Sequence, residues 1–400
     1  TDEFQIISFL NCNPKLLIFL ELFCLNKFKQ LHYQNIKPNG ISKVLSSLTS
    51  DLSDQGYEID ILYLMAPHED FYPINPKIKK HYSDSFADRY SKLATYLFKN
   101  FKSIPKIYNI HSYLYDLGSY RVLKKWIKKN HRHYDTIVPC WYKLSSMLAL
   151  DSEVSKKTIA WEHISYKTGG KLWYGTLRKY YKNLKGIVCI NKGGFDHYNS
   201  LNKNTHFIYN IIDDHLDSLS YIPPLKKENL ISMICRLDPE KNVMAFLEIF
   251  LKSNIPTDWK AEIMGQGREK ETLQKFLEAN NLQNRIKFLG HGNSDDVYRL
   301  MARSKISCLT STNEAFGMVL LEAMFSSNAL IAYDCDYGPS DIINEKNGFL
   351  IPLHDPEPFI KSLEKLTHDE NLLNTLMKSS FEETAHWKKE KITQQWKKIL

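Results

Sequence analysis

Apolar positions recur along this chain in two rhythms. Short continuous apolar runs bounded by Gly, Pro, Asn and Asp read as buried strands. Stretches in which apolar residues return every three or four positions read as helices. In the first half the strand runs are residues 59–64, 135–139, 157–161, 186–190 and 206–211, and the helical stretches are 41–52, 88–102, 113–130, 172–183 and 192–201. Before them, either 4–10 or 16–23 can open the chain as a strand, with Asn11-Cys12-Asn13-Pro14 as the turn between. The second is preferred, because it leads sooner to the loop Lys37-Pro38-Asn39-Gly40. Residues 213–229, with Tyr221-Ile222-Pro223-Pro224 and Lys226-Lys227-Glu228, break the rhythm and read as a linker. A second alternation follows, with strands at 230–235, 259–264, 285–289, 305–309 and 329–333, each trailed by a helical stretch; helices at 359–366, 370–380 and 383–399 close the chain. Strands alternating with helices predict an α/β fold of two doubly wound, Rossmann-like domains, facing each other across a cleft lined by the carboxyl-end loops of the strands. The expected division is 1–212, a linker at 213–229, 230–382, and a last helix at 383–400 packing back on the first domain.

The length of 400 residues supports two domains, and 43% apolar with 12% aromatic content excludes a disordered chain. Charge changes the picture more. Residues 1–215 carry 30 Lys and Arg against 19 Asp and Glu, whereas 216–400 carry 23 against 26. The basic surplus therefore belongs to the first half, which is expected to meet something anionic: a membrane surface, a phosphate-bearing acceptor or nucleic acid. Its densest patch is Lys124, Lys125, Lys128, Lys129 and Arg132, with Trp126 and Tyr120 nearby; lysines beside aromatics fit an anionic membrane face, and no nucleic-acid signature accompanies them. A solvated helix face accounts for the same residues. The seven cysteines (12, 24, 140, 189, 235, 308 and 335) are scattered without a CxxC pair and read as reduced core residues. No run approaches the ~20 apolar residues of a membrane span. The best, 16–25, contains Glu21, and the absence of a basic leader and cleavage site leads us to expect a cytoplasmic protein.

Candidate chemistry centres on Thr312 to Met324. After the strand at 305–309, Gly317 marks a turn into a helix, whose first-turn N–H groups suit a phosphate. Glu314 just before the turn and Glu322 within the helix are suited to accept hydrogen bonds from sugar or ribose hydroxyls. An ordinary α/β turn with a solvated Glu at each end explains the spacing equally. Arg236-Leu237-Asp238-Pro239-Glu240-Lys241 follows the first strand of the second half, with Asp238 as N-cap and Pro239 at the first helical position, so Arg236 and Lys241 flank a ligand-side loop and fit a diphosphate. Gly265-Gln266-Gly267 is a weak dinucleotide-like turn, and Gly338-Pro339-Ser340-Asp341 a further loop with Ser340 as N-cap. Asp334 and Asp336, without His partners, more simply solvate their loop than hold a metal. In the first half, His163 of Trp161-Glu162-His163 ends a strand, from which it can donate a hydrogen bond to a reacting group or serve a structural role. Gly40 lies in the first strand-to-helix loop, where a missing side chain lets backbone approach a ligand or simply turns the chain.

Together these motifs resemble the retaining GT-B glycosyltransferases of family 4. The match is carried by the Arg236–Lys241 loop, Met264-Gly-Gln-Gly267, Phe288-Leu-Gly290 and above all the E-x7-E element from Glu314 to Glu322. Tyr337-Gly-Pro-Ser-Asp-Ile-Ile343 and Asn347-Gly-Phe-Leu350 resemble the subset that builds bacterial surface polysaccharides, including teichoic acid and lipopolysaccharide. In the first half it rests on Gly40-Ile-Ser-Lys43 and Trp161-Glu-His163, and residues before Lys37 depart from the pattern. The resemblance implies an acceptor-side first domain and a nucleotide-sugar-binding second domain. It implies that Arg236 and Lys241 neutralise the donor diphosphate, Glu314 binds donor-sugar hydroxyls, the backbone of Phe316, Gly317, Met318 and Val319 contacts sugar and phosphate, and Glu322 holds the ribose. His163 would lie near the reacting sugar and Gly40 near the diphosphate. It further implies transfer of a hexose or N-acetylhexosamine from a UDP-sugar to a lipid-linked or surface-polysaccharide acceptor at the inner membrane face, with no cofactor and no divalent metal. A nucleotide-sugar epimerase of the same architecture and a catalytically silent sugar-nucleotide-binding protein are the competing readings.

Overall fold

The computed structural model describes residues 15–20, 39–101, 104 and 107–400. Of the opening-strand choices, the second is occupied: β1 is Lys15–Leu20, while residues 4–10 and 21–23, Cys12, Cys24, Lys37 and Pro38 lie outside the described residues. By internal packing the chain divides into two units, one comprising Thr1–Trp161, Gly170–Ile187 and Lys397–Leu400, the other Glu162–Gly169 and Val188–Trp396. This division does not coincide with the boundary expected at residue 212.

In the first unit, β1, β2 (Glu58–Tyr63), β3 (Lys79–Tyr82) and β4 (Thr136–Pro139) form a parallel sheet of order β3-β2-β1-β4. Helix α1 (Gly40–Asp54) begins where the Asn39 side chain accepts from Ser42 N at 2.8 Å, an N-cap. It buries Ile41, Val44, Leu45, Leu48 and Leu52, the helical spacing that marked it in the sequence. Helices α2 (Arg89–Phe101) and α3 (Ile107–Asn130) precede β4, and α4 (Tyr142–Leu148) follows it. Residues 172–183, expected as one helix, are a π-helical stretch, Lys171–Leu177, continued by 3₁₀ turns, Arg178–Asn183. The short edge strand β3 was not expected because its sequence, Lys-Lys-His-Tyr, alternates with no apolar face. Next in the chain come β5 (Ile159–Glu162), β6 (Gly186–Cys189), α5 (Lys192–Asn199) and β7 (Thr205–Phe207), of which α5 and β7 belong to the second unit.

The second unit is built on a six-stranded parallel sheet. After α6 (Asp214–Asp217) come β8 (Glu228–Ile234), α7 (Val243–Lys252), β9 (Lys260–Met264), α8 (Lys270–Ala279), β10 (Ile286–Gly290), α9 (Ser294–Arg303), β11 (Ser304–Leu309), α10 (Met318–Phe325), β12 (Ala329–Asp334), α11 (Pro339–Ile342) and β13 (Gly348–Pro352). The sheet order is β10-β9-β8-β11-β12-β13, and every pairing is parallel. Counted within the unit this is 3-2-1-4-5-6, the doubly wound dinucleotide-binding order, whose crevice lies at the carboxyl ends of the two strands where the order reverses, here β8 and β11. The helices α12 (Pro356–His368) and α13 (Glu370–Glu383) close over a core that includes Ile231, Phe246, Ile263, Ile331, Phe359 and Leu363. The helix expected at 383–399 is broken: Thr384–His386 is a 3₁₀ turn, and α14 runs from Lys389 to Lys397. Trp387 is buried at the break, its ring 5.3 Å from that of Tyr209, and Lys389 N donates to Asp217 Oδ1 at 3.0 Å, anchoring the new start on α6.

The expected linker is structured at both ends, by α6 and by the first two residues of β8. Lys227 within it is buried, and its Nζ donates to the carbonyls of Met301 (3.2 Å), Ser304 (2.8 Å) and Ser326 and to Asn328 Oδ1 (3.3 Å). These carbonyls end α9 and α10, so one ammonium serves helix C-termini on which the sheet rests. Lys227→Met leaves them without that donor and is expected to cost roughly 2–3 kcal/mol, lowering the thermal midpoint by about 5–10 °C. Burial pulls the Lys227 ammonium down to about 7, so between pH 7 and 10 the unfolded chain binds this proton more firmly than the folded one. The wild-type advantage over Lys227→Met therefore widens as pH rises through that window; denaturant melts of both proteins at pH 7 and 9 check the sign.

Candidate functional site

The loops at the carboxyl ends of β8 and β11 converge on one ion pair. Lys241 closes a 3₁₀ turn, Pro239–Lys241, and its Nζ lies 2.5 Å from Glu314 Oε1, both side chains mostly shielded. Ser311 Oγ donates to the same carboxylate oxygen at 2.7 Å. The two loops are stitched by Thr312 N to Glu240 O (2.9 Å) and Thr310 Oγ1 to Asn242 O (2.9 Å), and Asn242 takes the left-handed conformation that turns the chain into α7. Arg236 is held by its own loop, its guanidinium paired with Asp238 and Glu240. Asp238 does not cap the turn as expected from its position; its carboxylate is taken by Arg236 and, at 3.8 Å, Arg268. Burial pushes the Cys235 thiol up to about 12, with the charges of Lys241 and Arg236 opposing the rise and those of Glu314 and Asp238 adding to it. Burial likewise pushes Cys335 up to about 12, with Glu314 adding to the rise and Lys241 opposing it.

Glycines let the surrounding loops come this close. A Cβ on Gly265 would stand 1.7 Å from Cys235 O, and one on Gly267 2.2 Å from Leu237 O. The weak dinucleotide-like turn therefore serves to pack the β9 loop under the Arg236 loop, with Leu237 N donating to Gln266 O at 3.0 Å. Gly338, at φ +92, would set a Cβ 2.4 Å from Phe316 O; it, and not Ser340, caps α11, because only a residue without a side chain fits against that carbonyl. Gly317, at φ +88, is the N-cap of α10 and turns the chain into the helix, whose first turn includes Met318 and Val319. Phe316 is buried, Met318 and Val319 are partly exposed, and Glu322 is buried on α10.

His163 follows β5 and is buried, which lowers its pKa to about 3 and keeps the imidazole neutral. The adjacent Glu162, also buried, accepts from Tyr198 OH at 3.2 Å. One residue that the sequence reading passed over joins this segment of the second unit to the centre. Asn191 caps α5 through Gly194 N (2.7 Å) and donates from Nδ2 to Ala315 O at 2.7 Å, fixing the loop between Glu314 and Phe316. Next to it, Lys192 N donates to Asp341 Oδ2 at 3.0 Å. An Asn directly before a helix is a capping signal, so the first of these contacts was legible in the sequence; the second was not. Asp336, weighed earlier as a loop carboxylate, pairs with Lys167 at 3.0 Å.

Two groups of candidates belong to the first unit. Gly40 is exposed at the first position of α1. Lys124, Lys125, Lys128 and Lys129 are exposed on α3 and Arg132 is exposed just beyond it. The aromatic partner expected beside them is corrected: Trp126 turns inward, its ring 5.6 Å from that of His81 and 6.1 Å from that of Tyr134, whereas Tyr120 stays with the cations, 5.6 Å from Lys124 Nζ. Among the described residues no helix is long and apolar enough to cross a membrane.

Residues 221–383, all within the second unit, match the family model of glycosyl transferases group 1. Over 373 residues, covering 90% of this chain and 95% of the relative, the sequence is 26% identical to the amylovoran biosynthesis glycosyltransferase AmsD of Erwinia amylovora. Over 187 residues, 46% of this chain and 51% of the relative, it is 28% identical to the GalNAc-alpha-(1->4)-GalNAc-alpha-(1->3)-diNAcBac-PP-undecaprenol alpha-1,4-N-acetyl-D-galactosaminyltransferase of Campylobacter jejuni. A Staphylococcus aureus TarM variant, solved with fondaparinux, alpha-GlcNAc-glycerol and UDP, superposes with a TM-score of 0.70 at 14% identity, covering 96% of this chain and 99% of that one, which speaks for the fold. With the doubly wound second unit, its paired Lys241 and Glu314 at the switch point and the group 1 match lying over them, residues 221–383 form a glycosyl transferases group 1 domain, and the chain is a glycosyltransferase of GT-B fold, similar to bacterial polysaccharide glycosyltransferases.

Proposed function

We propose that the protein is a retaining transferase that moves a hexose or N-acetylhexosamine from a UDP-sugar to a lipid-linked or surface-polysaccharide acceptor at the inner face of the membrane. The observation that carries this reading is the Lys241–Glu314 pair at the β8/β11 switch point. A diphosphate entering there meets Lys241 as a point charge, Arg236 as a forked donor and the N–H groups from Phe316 to Val319 at the start of α10. Glu314, relieved of part of its hold on Lys241, accepts from donor-sugar hydroxyls, and Glu322 accepts from the ribose. His163, neutral, donates or accepts a hydrogen bond beside the reacting sugar and does not exchange a proton in the working pH range. As the bond to the sugar breaks, negative charge gathers on the leaving diphosphate, where Lys241, Arg236 and the helix start stabilise it without a divalent metal. The departing phosphate oxygen takes the acceptor hydroxyl's proton on the face from which the acceptor attacks, which preserves the anomeric configuration. UDP is supported by the TarM complex, and a lipid-linked acceptor by the undecaprenol-linked glycan on which the Campylobacter relative acts. The exposed cations of α3 then supply electrostatic attraction to an anionic membrane, about 1 kcal/mol for each that reaches the surface.

The deciding experiment is a thermal-shift screen across UDP-, GDP- and ADP-sugars followed by transfer assays on lipid-linked glycans, with the product anomer read by NMR. Conversion of the donor to an epimer without acceptor, or an inverted product, would overturn the reading. Glu314→Gln is expected to cut kcat/KM by roughly 10²–10³ while leaving UDP affinity within a few-fold, because it removes a sugar contact and not a phosphate contact. Lys241→Ala is expected to weaken UDP binding about tenfold or more and also abolish turnover, since it removes the phosphate's cation and strands the shielded Glu314 carboxylate. For His163, whose proton is lost near pH 3, the kcat/KM profiles of wild type and His163→Gln should run parallel from pH 5.5 to 8; a step near pH 6.5 present only in wild type contradicts the neutral role.

A further inference from the structure

We infer that the first unit holds a site for one hydrocarbon chain of an amphiphile with an anionic head, in the recess between α3, α4 and the π-helical stretch Lys171–Leu177. The inference rests on the reading of a lipid-borne acceptor and gives that acceptor's chain a place. The recess has a volume of about 130 Å³, below the ~300–1,000 Å³ of sites for drug-sized ligands, so it suits part of one narrow chain. Its walls are Tyr113 and Tyr120 from α3, Met147 from α4 and Leu150 just beyond it, and Leu172 and Leu177 from the π-helical stretch.

A chain site must keep water from claiming its floor, and the lining carboxylate is already engaged. Asp116 is buried; its two oxygens accept from Lys143 Nζ at 2.7 and 2.8 Å, and Oδ2 also accepts from Trp173 Nε1 at 3.2 Å. The charges cancel in place, so the surface offered to a ligand is apolar. At the lip, large apolar side chains stand in water: Tyr113 is 59% exposed, Leu150 45% and Leu172 44%. The apolar surface continues along the α2–α3 hairpin through Phe101, Ile104 and Ile110, all exposed. Cations flank the same lip. Lys124 Nζ lies 5.6 Å from the ring of Tyr120, and exposed Lys171 adjoins Leu172. An apolar recess with cations at its mouth complements a chain whose far end bears a phosphate; a flat apolar patch would fit a protein partner instead.

The test uses the full chain and alkyl phosphates below their critical micelle concentrations, titrated by calorimetry. Dodecyl phosphate is expected to bind one per chain, with affinity rising about fourfold per added methylene from octyl to dodecyl, and butyl phosphate is expected to show no binding. Leu150→Glu and Leu172→Glu, both at exposed positions, should each weaken dodecyl phosphate at least tenfold with an unchanged circular dichroism spectrum. Lys124→Glu should weaken dodecyl phosphate while leaving the neutral-headed dodecyl maltoside unaffected. Equal affinity for butyl and dodecyl phosphate, or wild-type binding in both leucine variants, overturns the inference. Thermal shifts by UDP-sugars on the wild-type protein report separately on the second unit: chain binding without any nucleotide-sugar response sinks the proposed transfer and leaves this site standing, and the converse result sinks only the site.

Discussion

The second unit is organised by a constraint of topology that places one ion pair. The strand order of its parallel sheet reverses between β8 and β11, so the loops leaving those two strands diverge to opposite faces and leave a crevice at their carboxyl ends. Lys241 comes from one loop and Glu314 from the other, and they meet at 2.5 Å with both side chains mostly shielded. A shielded pair of this kind contributes little net stability, since the cost of desolvating two charges offsets most of their attraction. Its consequence is positional: each side chain is held oriented and partly dry, ready to exchange its partner for a ligand of the same sign as that partner.

That placement depends on close approach of backbone to backbone around the crevice. Gly265 and Gly267 let the β9 loop lie against the carbonyls of Cys235 and Leu237, and Gly338 lets the β12 loop lie against Phe316 O. Asn191 adds a clamp from α5 to Ala315 O, one residue from Glu314. Any side chain at those glycines would push a loop outward by about an ångström or more, which is enough to separate Lys241 from Glu314, whose contact is a single hydrogen-bond length. The motif glycines of the second unit are thus explained by packing of the site's supports, and only Gly317 is explained by turning the chain into a helix.

Two lysines, one in each unit, illustrate how burial decides a cation's role. Lys227, expected in a solvated linker, is buried among helix-ending carbonyls and holds elements together. Lys143, within α4, is buried against Asp116 and closes the polar floor of an otherwise apolar recess. The exposed cations of α3 have neither task, which is why they remain available to an anionic surface.

Much of this was legible in the chain because it follows from local rules. The strands β8, β9, β11 and β12 are continuous apolar runs, α1 repeats its apolar residues at helical spacing, and the E-x7-E and Arg236–Lys241 motifs bracket the site with short-range chemistry. Edge strands β3 and β13 escaped notice because one face of an edge strand carries little of the core, and the break at Trp387 escaped because the ring that stops the helix, Tyr209, lies far away in sequence. Residue types and spacing by themselves determined the doubly wound class, the family resemblance and which loops carry charge. Only the tertiary structure decided that Lys241 and not Arg236 engages Glu314, that Trp126 faces inward, that Lys227 is buried, and that His163 is neutral. Each of those is a question of which distant group arrives within a few ångströms and how much water it displaces, and a local pattern holds no record of either.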